Sequence, residues 1–121
     1  MRAVLRLLVL ITAACAAAPA DTKVVVKKGV YGAIAVEPES GQVGYSYNAA
    51  TSRAAKVEAL NQCADPRCEV TVSFSNACGA VARGPKKYFS ATGATRQEVE
   101  TKALRKCAAK DCATVAWACT R

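Results

Sequence analysis

The chain of 121 residues contains no histidine. That absence removes the commonest general base and a leading metal ligand, and with them every Ser-His-Asp or Cys-His arrangement. Acidic side chains are scarce as well, 9 against 17 lysines and arginines. Glu37 with Glu39 and Glu98 with Glu100 are the close carboxylate pairs that a small glycan hydrolase could use. Both fall where a solvated turn or helix face is expected. Neither Gly32-Ala33 nor Gly79-Ala80 belongs to a G-x-G-x-x-G or P-loop pattern, and both read as close-packed strand positions. No apolar run, that of the first stretch of the chain included, is long enough to cross a bilayer. The composition argues against an enzyme and implies no cofactor and no metal.

What is present starts with Arg2 and Arg6, then Leu7-Leu8-Val9-Leu10-Ile11, then Ala18-Pro19-Ala20. This is the charged, apolar, small-residue order of a secretory signal, and it predicts a signal peptide over 1–20 cleaved after Ala20. A lipid anchor at Cys15 is the alternative processing route, although Thr12-Ala13-Ala14 lacks the large aliphatic residue that a bacterial lipoprotein signal places three positions before its cysteine. Either route takes Cys15 out of the 7 cysteines and leaves an even set, which in an exported chain favours full pairing. The expected location is secreted, or periplasmic and cell-envelope. Loss of Arg2 and Arg6 reduces 17 basic residues to 15 against 9 acidic ones, a mature net charge of +6. That charge favours an acidic exported or host protein, or an anionic envelope polymer, as partner. Nucleic acid is not expected, because export removes the target and no reading motif accompanies the charge.

The remainder is a duplication. Aligning Cys63-x4-Cys68 with Cys107-x4-Cys112 also matches Thr51 with Thr95, Ala59 with Ala103 and Leu60 with Leu104 without a gap. Upstream, Tyr31-Gly32-Ala33-Ile34-Ala35 corresponds to Cys78-Gly79-Ala80-Val81-Ala82. Downstream, Val70 to Phe74 aligns with Val115 to Cys119 once one residue is inserted, so that Phe74 matches Cys119. The pattern predicts an α+β fold of two tandem β-β-α-β units, copies about 31–74 and 78–119 of one domain over 31–121, forming an antiparallel or mixed sheet with two helices. Residues 21–30, with Lys23, Lys27 and Lys28 around Val24-Val25-Val26, read as a basic arm or an edge strand. The helix stripes are Ala55, Ala59, Leu60 and Cys63, repeated as Val99, Ala103, Leu104 and Cys107. Thr95 with Glu98 is a capping box; the first helix lacks the glutamate and starts near Thr51 or Ser52.

A helix ending at each first cysteine and a strand starting after the second make Cys63–Cys68 and Cys107–Cys112 the economical pairs, and elimination leaves Cys78–Cys119. The rival is a four-thiolate zinc site of Cys63, Cys68, Cys107 and Cys112, for which the spacing is loose. Tyr45 and Tyr47 alternate along one strand, with Phe89 aligned to Tyr45, and form either a core layer or an aromatic binding face. Arg83, Lys86 and Lys87 in a hairpin turn, with Arg105 and Lys106 on the second helix, form the densest basic region. Three functional readings follow. The first is an exported non-enzymatic binding protein that uses a disulfide-rigidified surface and this basic face. The second is a structural envelope component held on anionic wall or lipid through Lys23, Lys27, Lys28 and the same face. The third is a small hydrolase acting through Glu37 or Glu98.

Tyr31-Gly32-Ala33-Ile34-Ala35, Ala59-Leu60-x-x-Cys63, Cys78-Gly79-Ala80-Val81-Ala82 and Trp117-Ala118-Cys119 together resemble the exported bacterial family known as domain of unknown function forty-one eighty-nine. The resemblance runs from about Tyr31 to Thr120. It implies export and this repeat fold, and relatives that are small secreted or envelope proteins, mycobacterial ones among them. It carries over no catalytic residue. Some relatives lack the second C-x4-C pair, which implies that the Cys107–Cys112 bridge reinforces the fold and is not needed for a shared activity.

Overall fold

A computed structural model of the chain describes residues 30–120. The expected signal peptide, Cys15 and the lysines of the 21–30 arm lie outside the described residues. The first copy forms β1 (Tyr31–Val36), β2 (Val43–Ala49), α1 (Ser52–Cys63) and β3 (Glu69–Ser75). The second repeats the order as β4 (Cys78–Arg83), β5 (Tyr88–Gly93), α2 (Arg96–Cys107) and β6 (Ala113–Cys119). The duplicated α+β architecture is therefore present, with one three-stranded antiparallel sheet per copy, ordered β2-β1-β3 and β5-β4-β6.

The central strands are apolar at nearly every position, because both of their faces are covered. Along β1 successive side chains point to opposite faces. Ala33 and Ala35 meet Ala55, Ala59 and Cys63 of α1. Ile34 and Val36 point the other way and meet Val81, Ala116 and Ala118 of the second sheet, with Phe74 among them. In copy two Ala80 and Ala82 pack on Val99 and Ala103 of α2. The result is four layers: α1, first sheet, second sheet, α2.

Phe74 joins the two inner layers. A Cβ added at Gly32 would stand 2.5 Å from Phe74 Cε2, and one added at Gly79 would stand 2.5 Å from Phe74 Cδ1. The ring lies against both strands where a larger residue has no room, which accounts for the glycine in each G-A-x-A motif.

The helix stripes are narrower than the sequence pattern suggested. Ala55, Ala59 and Cys63, and likewise Val99, Ala103 and Cys107, are buried, whereas Leu60 and Leu104 are over one-third exposed. Alanine at the contact brings each helix close to its sheet, and the leucines are left at the rim. Thr51 caps α1 by accepting from Ala54 N, and Thr95 caps α2 by accepting from Glu98 N. Glu98 reaches back to Ala94 N at 3.0 Å, one residue upstream of the usual capping-box partner.

All three expected disulfides are formed: Cys63–Cys68, Cys78–Cys119 and Cys107–Cys112. The strand register corrects the alignment behind the third pair. Tyr31 lies opposite Ser75 as Cys78 lies opposite Cys119, so the copies align through β3 and β6 without an insertion. Ser75, not Phe74, is the counterpart of Cys119, and Phe74 matches Ala118. The gap came from matching Val70 and Phe74 to Val115 and Cys119; both copies carry the same bulge in this ladder, between Ile34 and Ala35 and between Val81 and Ala82, so it adds no offset between them.

Phe74→Ala should cost about 3–5 kcal/mol, since the ring has few neighbours able to collapse into its space. Replacing Cys78 and Cys119 by serine should cost about 4 kcal/mol and replacing Cys63 and Cys68 about 2 kcal/mol, following loop length. Denaturant unfolding of the oxidised variants measures both, and an equal cost for the two bridges would contradict the loop-length account.

Candidate binding site

Stacking the sheets brings the edge strands together in two seams, β2 over β6 on one side and β3 over β5 on the other. The registers relate the seams residue by residue. Tyr45 lies opposite Ile34 as Ser90 lies opposite Val81, and Trp117 lies opposite Ala80 as Ser73 lies opposite Ala33. Phe89 therefore occupies the place of Gly44, not that of Tyr45 as the sequence alignment has it. A shift in register between Tyr31 and Ala33 moves that pairing by one residue.

The β2/β6 seam is an apolar groove of about 460 Å³, lined by Val43, Tyr45 and Tyr47 from one strand and by Val115 to Cys119 from the other. The aromatic residues are not a core layer. Tyr45 is 43% exposed, Tyr47 54% and Trp117 39%, and the two tyrosine rings stack with centroids 6.4 Å apart. Tyr45 shares the inter-sheet face with Ile34. Trp117 sits at the alternate position to Ala116 and Ala118 and turns toward the start of α2, where the Arg96 guanidinium lies 4.0 Å from its ring centroid. Glu100 holds Arg96 at 3.1 Å.

The opposite seam keeps Val72 and Tyr88 against the core but is polar at the places equivalent to the groove's outer residues. Ser73, Thr71 and Ser90 stand where Trp117, Val115 and Tyr45 stand in the first seam, and Ser90 Oγ donates to the Thr71 carbonyl. One seam is closed by a hydrogen bond and the other is left open with aromatic walls.

The basic residues expected at a binding face gather at the end of copy two where the β4–β5 turn meets the last turn of α2. Three of the five make intramolecular contacts. Arg83 lies 5.7 Å from the Tyr88 ring centroid, Lys87 lies 5.2 Å from that of Phe89, and Lys106 Nζ donates to the Ser90 carbonyl at 2.8 Å. Lys86 and Arg105 are exposed. Trp117 entered the sequence reading only as part of a motif. Its alternation with the buried Ala116 and Ala118 was the available signal, but nothing in the sequence said that β6 lies beside β2.

The glutamates proposed for hydrolysis serve as local structure. The buried Glu37 carboxylate accepts from the backbone of Ser40 and, at 3.2 Å, of Glu39, closing the β1–β2 turn, with Arg67 Nε 3.8 Å away. Hydrogen bonding from Ser40 in the first place, then from Glu39 and the Arg67 charge, outweighs burial and holds this carboxyl below the ordinary glutamate range. Glu98 is lowered likewise by Lys102, 2.9 Å away, and by Ala94 N. An acid lowered in this way is a poor proton donor near neutral pH. The cysteines weighed as a zinc site form two separate bridges, one beside each helix, so their sulfurs are not thiolates. No helix among the described residues is long and apolar enough to cross a membrane.

Comparison with known proteins matches residues 31–119 to the family described as Domain of unknown function (DUF4189). Protein Rv1269c of Mycobacterium tuberculosis and Protein Mb1300c of Mycobacterium bovis are each 39% identical over 77 residues, which cover 64% of this chain and 60% of theirs. The chain thus spans under two-thirds of the length of these curated relatives. The NMR structure of Rv1813c from Mycobacterium tuberculosis superposes with a TM-score of 0.58 at 29% identity, over 99% of this chain and 96% of that one.

Because the Glu37 carboxyl is lowered in the folded protein, the stability it contributes is present above the ordinary glutamate pKa and is lost as pH falls through the lower folded value. Melting of wild type and Glu37→Gln between pH 7 and pH 2 should show the wild type more stable at neutral pH and the two curves converging in acid. Parallel curves would remove this role.

Proposed function

From the premise that the chain belongs to the DUF4189 family, whose description assigns no activity, we propose that it is an exported, non-enzymatic binding module for an acidic exported or host macromolecule. The observation that carries the reading is the open aromatic seam. Duplication supplied two equivalent seams, and only one presents Tyr45, Tyr47 and Trp117 to solvent. Tyrosine and tryptophan offer large contact area with few rotatable bonds, and exposed clusters of them mark binding surfaces. Three disulfides hold the seam's strands and helices in place, which lowers the ordering cost of association. They also fit an oxidising compartment outside the cytoplasm. The processed chain's net charge of +6 (15 basic against 9 acidic residues), expressed locally in Arg83, Lys86, Lys87, Arg105 and Lys106, attracts an acidic partner and speeds encounter.

The test is capture from envelope and culture-fluid extracts on immobilised oxidised protein, washed at low and then at about 1 M salt, where charge contacts are screened. A partner that survives the high-salt wash on wild type and is lost from the Tyr45→Ser/Tyr47→Ser double variant supports the seam. Release of everything bound at high salt would instead favour an envelope component held by charge on anionic wall or lipid. Retention by the double variant would place the site elsewhere on the molecule.

A further inference from the structure

The four edge strands are not equally protected. In β2 the outward Tyr45 N–H donates to Gln62 Oε1 at 3.3 Å. In β5 the outward carbonyls of Thr92 and Ser90 accept from Lys102 at 3.3 Å and Lys106 at 2.8 Å. In β3 the Thr71 carbonyl accepts from Ser90 Oγ. Such side-chain caps and edge lysines are how sheets block further pairing. β6 has no counterpart to them among the described residues.

The phase of its ladder shows which groups are left open. Thr120 N donates to the Ala77 carbonyl, and Cys78 is paired with Cys119. Hydrogen-bonded and non-hydrogen-bonded pairs alternate in an antiparallel ladder. Ala118 and Ala116 therefore bond inward to β4, while the N–H and C=O of Trp117 and Cys119 point away from the sheet. Those two residues, with Val115 to Ala118, form one wall of the groove, and Tyr45 and Tyr47 form the other. Strand β6 itself carries no charge and no proline, the two residue types that usually guard an edge.

We propose, resting on the seam being the binding site, that β6 is a strand-addition edge: it takes an extended, acidic segment of a partner protein as a fourth strand of the second sheet. The segment's backbone bonds to Trp117 and Cys119. Alternate side chains on one face, apolar ones, lie along Tyr45 and Tyr47. Those on the other face, acidic ones, lie toward Trp117 and Arg96. Charge selects this occupant over a second copy of the chain, because each processed copy brings a further +6 (15 basic against 9 acidic residues).

The probe is a seven-residue peptide of alternating valine and aspartate, titrated into the oxidised full-length chain. The protein has a single tryptophan, so its fluorescence reports from the groove itself. Saturable change in Trp117 fluorescence is expected, with amide shifts centred on Trp117 and Cys119. N-methylation of the peptide N–H groups on one edge should weaken binding at least tenfold, and methylation of the other edge should leave it unchanged. Equal tolerance of both methylations, with binding still lost in Tyr45→Ala, would overturn strand addition and leave the binding seam standing. Absence of probe binding would overturn it too, as would a dimer by light scattering whose interface is β6. Slow exchange of the Trp117 and Cys119 amides in the free monomer would also do so, because it would mean that the chain's own 21–29 segment already fills the edge.

Discussion

One aromatic ring decides how close the two halves of this protein can come. Among the described residues Phe74 is the only aromatic residue of the inter-sheet core that is buried, and both central strands carry glycine where they meet it. The two G-A-x-A strands are thus shaped to a single side chain contributed by β3. Around it the other buried residues of the cluster are small or aliphatic, with Tyr88 half-buried at its margin. Without the ring there would be little volume to hold the sheets in register. The seams on either side exist because this contact fixes which edge strand lies over which.

The seams show how a duplicated backbone can carry two different surfaces. The paired positions are nearly superimposable in register, yet one set is Tyr45, Trp117 and Val115 and the other is Ser90, Ser73 and Thr71. In the polar set Ser90 bonds across the gap to the Thr71 carbonyl, and Ser73 faces solvent. The aromatic set has no such partner, and Arg96 covers only one ring. The helices differ to match: α2 sends Lys102 and Lys106 over the edge of β5, while α1 sends Gln62 to β2 and leaves the rest of that edge to the tyrosines.

Much of this was legible in the residues. Cysteine spacing, the repeated motif and the change of hydrophobic period from strand to helix are local signals, and they gave the element order, the three bridges and the duplication. Element register was less legible. A bulge adds a residue to one strand without any mark in composition, and the one between Tyr31 and Ala33, which copy two lacks, is why Phe89 aligned with Tyr45; Phe74 aligned with Cys119 because apolar residues were matched across a gap. The exposure of Leu60 and Leu104 was hidden for a related reason, since periodicity reports the side of a helix but not how near its neighbour stands. The seam itself was the least legible, because it joins β2 to β6 across most of the domain and no local pattern states that those two edges meet.

The layer order also bears on origins. Each unit has its helix outside and its sheet inside, so the inner face of either unit alone would be bare and could be covered only by another of its kind. Two identical units would meet about a twofold axis parallel to the strands, and both seams of such a pair would necessarily be the same. Joining the two units in one chain lifts that symmetry. From then on a serine could be kept at one seam and a tyrosine at the other, and a scaffold with two equal faces could become one with a front and a back.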